Sequence, residues 1–236
     1  MKAGKSPLTL HLLYAVVICA MLVGIYWGSK AVTVISENFQ IDRHYRIVID
    51  PGHGGEDGGA TSCTGKLESI FNLEISKRLD DLFHLLGYET YMIRKTDTSV
   101  YTKGETIAQK KISDLKERVR IVNEAKNGVL LSIHQNNFSD SRYSGAQVFY
   151  SDSDSSKDLA NHLQSSLVQS LNPGSHRKSK LSKGVYLMEH IRCTGVLIEC
   201  GFLSNPAEEA KLRDPEYQKK LCCVIAASVS QYLSNT

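Results

Sequence analysis

The stretch that decides the fold of this chain is IVIDPGHGGEDGGA, residues 47–60. It begins with three β-branched residues, which are typical of a buried strand, and continues into a loop whose five glycines surround one imidazole, His53. Glycines at this density let a backbone adopt positive φ or let another group come close. The spacing is not that of a phosphate-binding P-loop, because five residues rather than four separate Gly59 from Gly65, and Leu67 replaces the magnesium-binding Ser or Thr. The loop therefore serves another purpose, which involves His53.

The overall composition is that of a globular domain with a small positive charge. The chain has 236 residues, of which 42% are apolar and 22% charged, so it can bury one core and is not disordered. Its net charge is +3 without a dense Lys/Arg block, so we expect no nucleic-acid partner. The short basic segment at residues 176–180 is interpreted as a solvated loop, which leaves a weak contact with an anionic polymer open. Six cysteines, one of them near the amino terminus, indicate no disulfide framework, and most are interpreted as small buried hydrophobes.

The amino terminus has the length and composition of a membrane span. Residues 8–27 contain no Asp, Glu, Lys or Arg, and at about 1.5 Å per residue a helix of this length would cross the roughly 30 Å hydrocarbon core of a bilayer. Lys2 and Lys5 precede this stretch, so the positive-inside rule predicts that the globular part lies outside the cytoplasm. A cleaved signal peptide is the alternative, but its apolar core would be shorter. We therefore expect a membrane anchor within residues 1–30.

The rest of the chain divides into a linker at residues 31–45 and one domain at residues 46–236. Strands are predicted at 47–49, 88–94, 129–133, 145–150 and 196–198. Helices are predicted at 67–86, at 105–126, at 157–171 and after the N-cap residues Asn205 and Asp214. Strands that alternate with helices predict an α/β fold, in which helices cover both faces of one sheet.

Three of the predicted strands are wholly apolar and end at a reactive side chain. His53 follows the first, His134 ends the second and Glu199 ends the third. Ligands of open α/β sheets bind outside the carboxyl ends of the strands. If these three strands are parallel neighbours, two imidazoles and a carboxylate therefore meet at one edge of the sheet.

Two imidazoles and one carboxylate are a common ligand set of catalytic zinc. Zinc lowers the pKa of a bound water to about 7 and polarises a carbonyl oxygen. A second carboxylate that does not bind the metal can then take a proton from the water and pass it to a leaving amine. Glu199 is one candidate for these two carboxylates. Glu68 is the other, because the helix that it begins enters directly from the glycine-rich loop.

Each of these residues also has an ordinary structural explanation. A single histidine after a strand is more often structural than a ligand. Glu68 is compatible with a first-turn residue that the helix dipole favours, and Glu199 with an ion-paired carboxylate. Cys200 is a further candidate, as a nucleophile with His134 or His190 as its base, although no local cysteine-hydrolase motif supports this.

Five motifs, in order, resemble those of a known family. The segments VIDPGHGGEDGGA, LESIFNLEI, SIHQN, GAQVFY and LIECGFLSN are similar to the zinc-dependent N-acetylmuramoyl-L-alanine amidases of bacterial cell walls, over about residues 46–233. The resemblance implies a single α/β domain with a six-stranded, largely parallel or mixed sheet flanked by helices. It implies one zinc ion per chain, with His53, Glu68 and His134 as ligands and Glu199 as the catalytic carboxylate. It also implies cleavage of the amide between muramic acid and the L-alanine of the stem peptide.

The arrangement of the chain further resembles the sporulation branch of this family, whose members have a lone catalytic domain behind an amino-terminal span. This implies a peptidoglycan substrate in the spore cortex, where removal of peptides allows muramic δ-lactam to form. It also implies a location between the forespore membranes of a sporulating cell. Residues 151–180 are too few for the inhibitory helical insert of the division amidases, so restraint of the activity is expected to come from a separate activating or regulatory protein or from the zinc supply.

Two other hypotheses remain open from the sequence. One is an inert wall-binding protein that keeps the amidase fold, although all four site residues are present. The other is a zinc carboxypeptidase that acts elsewhere on the stem peptide.

Overall fold

The computed structural model describes residues 44–236, together with residues 21, 23 and 24. The predicted anchor at residues 1–30 and the predicted linker at residues 31–45 therefore lie almost wholly outside the described residues. In the part of the chain that is described, no helix is long and apolar enough to cross a membrane.

Residues 44–236 form alternating strands and helices. The strands are β1 (Arg46–Pro51), β2 (Glu89–Met92), β3 (Gly128–Asn136), β4 (Gln147–Tyr150), β5 (Lys180–Leu181) and β6 (Thr194–Phe202). The helices are α1 (Glu68–Leu85), α2 (Ile107–Glu124), α3 (Asp154–Leu171), α4 (Tyr186–His190), α5 (Pro206–Arg213) and α6 (Pro215–Leu233).

The strands form one six-stranded mixed sheet in the order β2-β1-β3-β6-β4-β5. Neighbouring strands are parallel except for β4, which runs antiparallel to β6. The prediction of an α/β domain with a six-stranded, largely parallel or mixed sheet is therefore confirmed.

Helices cover both faces of the sheet, as the alternation of side chains along β1 illustrates. Ile47 and Ile49 belong to the larger apolar cluster, which also contains residues of α1, α3 and α6. Val48 points to the opposite face and joins the smaller cluster, with Val122 of α2 and Leu187 of α4. Successive side chains of a strand alternate between faces, so a wholly apolar strand is the expected sequence for a sheet that is buried on both sides.

Three local expectations need correction. The basic segment at residues 176–180 is not only a loop, because Lys180 begins the short strand β5. The five-residue helix α4 was not predicted. The helical spacing of 105–126 predicts Ile112 on the same side as the buried Val122, but Ile112 is 55% exposed, whereas the buried residues of α2 include Ser113 and Arg118. The first half of α2 faces polar loops rather than the apolar core, and for this reason its inward side chains are polar.

Candidate metal centre

The carboxyl ends of β1, β3 and β6 lie side by side at one edge of the sheet. These strands are adjacent and parallel, as the prediction required. His134 of β3 lies directly opposite Glu199 of β6 in the register, and His53 follows shortly after the end of β1. The topology therefore brings residues that are distant in the sequence to the same rim.

His53, Glu68 and His134 form a compact cluster at this rim. The His53 Nε2 atom is 3.3 Å from Oε2 of Glu68, and the His134 Nδ1 atom is 3.0 Å from Oε1. One potential ligand atom from each of the three residues lies within 4.8 Å of the other two. Two imidazole nitrogens and one carboxylate oxygen at such separations can hold a single divalent cation such as zinc.

The glycines of the loop make room for these three side chains. A Cβ on Gly52 would lie only 2.2 Å from Nε2 of His134, and a Cβ on Gly59 would lie 2.6 Å from Oε2 of Glu68. Gly59 also has φ of +68°, a value that side chains disfavour. His53 itself has φ of +60°, which is unusual for a residue other than glycine. The loop is therefore rich in glycine because larger residues would collide with the side chains of the site.

Glu68 is held in place by the surrounding backbone and amide groups. It is only 4% exposed. The backbone N–H of Ala60 donates to Oε2 at 3.0 Å, and the backbone N–H of Gln135 and the side chain of Asn72 both donate to Oε1 at 3.2 Å. With its acceptor positions filled in this way, the carboxylate is oriented before any cation binds.

The electrostatics of Glu68 favour the charged carboxylate. Burial acts against ionisation, but hydrogen bonds and charge interactions with His134 and His53 outweigh it and hold the pKa of Glu68 well below its usual value. The site therefore presents an anion to a cation at any pH near neutrality.

Asp57 approaches His53 on the side of the ring that faces away from Glu68. Its Oδ2 atom is 3.1 Å from Nδ1 of His53 and 3.1 Å from Nζ of Lys111. Burial would lower the pKa of His53, but the interactions with Glu68 and Asp57 raise it above its ordinary value. A carboxylate on the second nitrogen of a metal-binding histidine fixes the tautomer and the orientation of the ring. The sequence analysis missed this residue, although an acid four positions after a histidine in a glycine-rich loop was a usable signal.

Arg118 of α2 anchors the loop that carries His53. It is buried, and it forms ion pairs with Asp50 and, through Nε at 2.7 Å, with Asp114. Its guanidinium also donates to the backbone carbonyls of Pro51 at 3.0 Å and His53 at 2.7 Å. The positive φ of His53 is thus supported by a charge-assisted hydrogen bond to its own carbonyl.

Arg94 connects the same loop to the beginning of α1. Its guanidinium donates to the carbonyls of Pro51 at 2.8 Å, Gly52 at 2.9 Å and Ser69 at 2.8 Å. Burial and the nearby charge of Arg118 lower the pKa of Arg94 to about 10, so it stays charged near neutrality. Neither arginine was predicted, because a single arginine near a strand end or in a helix has no local signal for burial.

Glu199 lies beside the cluster without belonging to it. Its Oε2 atom is shielded from solvent and has no hydrogen-bond partner among the described residues. Burial raises the pKa of Glu199 to about 7, while the charge of His134 lowers it and that of Glu68 raises it. A carboxyl group that is poised near neutral pH can both accept and donate a proton.

The proposed cysteine nucleophile is wrong. Cys200 is fully buried in the larger apolar cluster, and its thiol donates to the carbonyl of Ile198 at 3.7 Å. Burial raises the pKa of this thiol well above its ordinary value, so the reactive thiolate is disfavoured. The expectation that most cysteines are small buried hydrophobes is wrong for the described residues, because only Cys200 and Cys222 are buried, whereas Cys193 is half-buried and Cys63 and Cys223 are exposed.

Two proteins of Bacillus subtilis with similar sequences are N-acetylmuramoyl-L-alanine amidases. The germination-specific N-acetylmuramoyl-L-alanine amidase of Bacillus subtilis is 37% identical over 191 residues, which cover 80% of this chain and 79% of the relative. The amidase LytC of the same organism is 29% identical over 189 residues, which cover 79% of this chain but only 35% of that longer protein.

A solved structure agrees with these relatives. The CwlD amidase from Clostridioides difficile, in complex with the GerS lipoprotein, has a TM-score of 0.78 and 35% identity, and the match covers 81% of this chain and 99% of that chain. The sequence profile described as N-acetylmuramoyl-L-alanine amidase matches residues 47–231. On the strength of this match, the chain belongs to the N-acetylmuramoyl-L-alanine amidase family.

Proposed function

We propose that this protein is a zinc-dependent peptidoglycan amidase, which hydrolyses the bond between N-acetylmuramic acid and the L-alanine of the stem peptide. The observation that carries the proposal is the cluster of His53, Glu68 and His134 with Glu199 beside it. Two imidazoles, an anionic carboxylate and a separate carboxyl group of raised pKa are the groups that zinc-assisted amide hydrolysis requires.

In the proposed mechanism each residue has a separate role. His53, Glu68 and His134 would hold the zinc ion, which supplies polarisation of the scissile carbonyl and acidification of water when bound. Glu199 accepts a proton from the attacking water and then donates it to the departing amine of L-alanine. In the zinc-free protein, burial raises the pKa of Glu199 to about 7, so the carboxyl group is not fixed in one protonation state near neutral pH.

The physiological part of the proposal is maturation of the spore cortex, where removal of stem peptides allows muramic δ-lactam to form. The germination-specific relative from Bacillus subtilis supports this role. The uncharged stretch at residues 8–27 supports a membrane anchor with the catalytic domain outside the cytoplasm, between the forespore membranes of a sporulating cell.

A separate protein is proposed to regulate the activity. Residues 151–180 hold α3, which packs in the core, and the first residue of β5, so this segment supplies no long inhibitory insert. The relative from Clostridioides difficile was solved in complex with a lipoprotein, which supports a partner of that kind.

The central experiment compares Glu199→Gln with His134→Ala in the full chain. Glu199→Gln is expected to retain bound zinc but to release peptides from purified sacculi about 10²- to 10⁴-fold more slowly, since it loses the proton-transfer group. His134→Ala is expected to lose both zinc and activity. Bound zinc is measured by elemental analysis, and released peptides by chromatography. A Glu199→Gln variant that still released peptides at the normal rate would show that Glu199 has another role.

Product analysis distinguishes this proposal from the two alternatives. An intact stem peptide that begins with free L-alanine identifies an amidase, whereas a free terminal amino acid identifies a carboxypeptidase. Zinc-loaded protein that binds sacculi but releases no peptide, with or without a partner, identifies an inert wall-binding protein.

A further inference from the structure

Three aromatic rings pack on one another beyond the carboxyl ends of β3 and β6. The Tyr143 ring stacks on Phe202, with a centroid distance of 6.1 Å and an interplanar angle of 27°. The Phe138 ring meets Tyr143 edge-on, at 4.9 Å and 77°. We call these three rings the aromatic shelf.

The base of the aromatic shelf is firmly embedded in the domain. Phe202 is only 4% exposed, and the guanidinium of Arg177 lies 5.0 Å from the centroid of its ring. Arg177 is itself fixed, because its Nε donates to the carbonyl of Ser144 at 3.0 Å. Phe202 therefore provides a rigid support for Tyr143.

The segment that carries the two outer rings is also fixed. The side chain of Asn205 donates to the carbonyl of Tyr143 at 3.1 Å, and the backbone N–H of Phe138 donates to Oγ of Ser204 at 3.1 Å. Both contacts join the segment after β3 to the segment after β6. The outer rings are thus held in position before any ligand arrives, which reduces the entropy cost of binding.

The two outer rings remain exposed although they are large and apolar. Phe138 is 51% and Tyr143 is 47% exposed. The other residues of the segment 137–144 are Asn, Ser, Asp and Arg, with no aliphatic side chain among them. A membrane-binding surface needs a basic face, but the one basic residue of this segment, Arg142, is paired with Asp140 at 2.7 Å. Aromatic faces surrounded by hydroxyl and amide groups instead match a ligand with apolar faces and polar edges, which is the character of a pyranose.

The aromatic shelf begins close to the candidate metal centre. Phe202 pairs with Asn136, which is two residues beyond His134, and it lies three residues beyond Glu199 on the same strand. At about 3.3 Å per residue, this places the Phe202 backbone roughly 10 Å along the strand from that of Glu199. A sugar next to the muramic acid at the metal centre can therefore reach the shelf.

We infer that the aromatic shelf is a glycan-binding subsite, in which the apolar C–H face of an N-acetylated pyranose packs on Phe138 and Tyr143. The inference rests on the proposed function for the identity of the polymer. The chemistry of the contact is general, because aromatic rings bind apolar surface at a low cost in side-chain entropy. The consequence is a preference for stem peptides that are still attached to a glycan strand of several sugars.

The test measures binding of a peptide-free N-acetylglucosamine tetramer to the zinc-loaded full chain by NMR titration. The double variant Phe138→Ala/Tyr143→Ala is expected to bind the tetramer roughly tenfold more weakly. The matched control is Tyr91→Ala, because Tyr91 lies on the edge strand β2, is separated from β6 by β1 and β3, and is 48% exposed. Phe138→Trp keeps an aromatic face and is expected to retain binding, which separates loss of the ring from damage to the fold.

Kinetics on polymeric peptidoglycan provide a second measurement. The double variant is expected to have a KM roughly tenfold higher than wild type and an unchanged kcat. The reason is that the shelf contacts a sugar outside the reacting bond. Tetramer binding that is equal in wild type and double variant would overturn the inference. The binding assay needs no turnover, so a chain that binds the tetramer through these rings but cleaves no amide would refute the proposed function and leave the subsite standing.

Discussion

At the scale of single residues, the site depends on how one carboxylate and one imidazole are oriented. Glu68 receives hydrogen bonds from a backbone amide on each side and from Asn72, so its two oxygens face the two histidines. His53 is constrained in turn by Asp57, which lies 3.1 Å from its second ring nitrogen. Ligands that are positioned in advance bind a metal more tightly than ligands that must first be ordered.

The role of Asp57 as a positioning residue can be tested by Asp57→Asn. The variant keeps a hydrogen-bond acceptor but loses the charge that favours the metal-binding orientation of His53, so zinc affinity is expected to fall about 10- to 100-fold. Affinity is measured by competition with a chelator. Glu56→Gln is the matched control, because Glu56 pairs with Lys110 at 2.7 Å rather than with the imidazole. Equal zinc affinity in the two variants would rule out this role.

The raised pKa of Glu199 predicts a particular pH dependence of stability in the zinc-free protein. The group changes from an ordinary pKa of 4.5 to about 7 on folding. The folded state therefore binds more protons than the unfolded state between these values, and the contribution of Glu199 is fully present below pH 4.5 and lost as the pH rises through 7. The full loss is roughly 3 kcal/mol.

Urea unfolding of wild type and Glu199→Gln at several pH values measures this contribution. The other ionisable groups are present in both proteins, so the difference in unfolding free energy reports on Glu199 and its charge interactions. Between pH 5 and pH 7.5, wild type is expected to lose stability relative to the variant, because the glutamine does not ionise. A difference that does not change over this range would contradict the raised pKa.

At the scale of elements, the loop after β1 is shaped by groups that lie on other elements. Arg118 of α2 and Arg94 after β2 both donate to its backbone carbonyls. The ring of His134 on β3 occupies the space where a side chain on Gly52 would lie. The loop is therefore a rigid part of the site, although its sequence alone suggests flexibility.

Gly52→Ala tests this packing. The added methyl would lie 2.2 Å from Nε2 of His134 and displace the ring, so we expect zinc binding at least about tenfold weaker and a loss of stability of about 1–3 kcal/mol. Gly65→Ala is the control, because it strains a φ of +90° but its Cβ meets no atom within 4 Å. Zinc affinity and thermal stability are both measured for each variant and compared between the two. If Gly52→Ala bound zinc as tightly as Gly65→Ala, the close approach of the imidazole would not matter for the site.

At the scale of the whole molecule, the strand order of the sheet brings the carboxyl ends of three strands together at a single site. β1, β3 and β6 were recognisable individually, since each has a wholly apolar core of residues. The strand β5 and the helix α4 could not be recognised, because a strand of two residues and a helix of five are too short to show a hydrophobic period. The antiparallel direction of β4 had no local signal either, because strand pairing is a non-local property.

The sequence by itself determined the alternation of strands and helices, and it determined which reactive side chains stand at strand ends, since both follow from local periodicity. The residue pattern left open whether Glu68 or Glu199 lies between the two imidazoles. The family resemblance implied Glu68, and only the tertiary structure shows it there. The packing of α1 on the sheet places Glu68 at 3.0 Å from His134, and leaves Glu199 outside the cluster on the neighbouring strand. Asp57, the buried arginines and the aromatic shelf were decided in the same way. Their contacts join segments that come together only when the domain folds around its core. No local sequence pattern therefore predicts them.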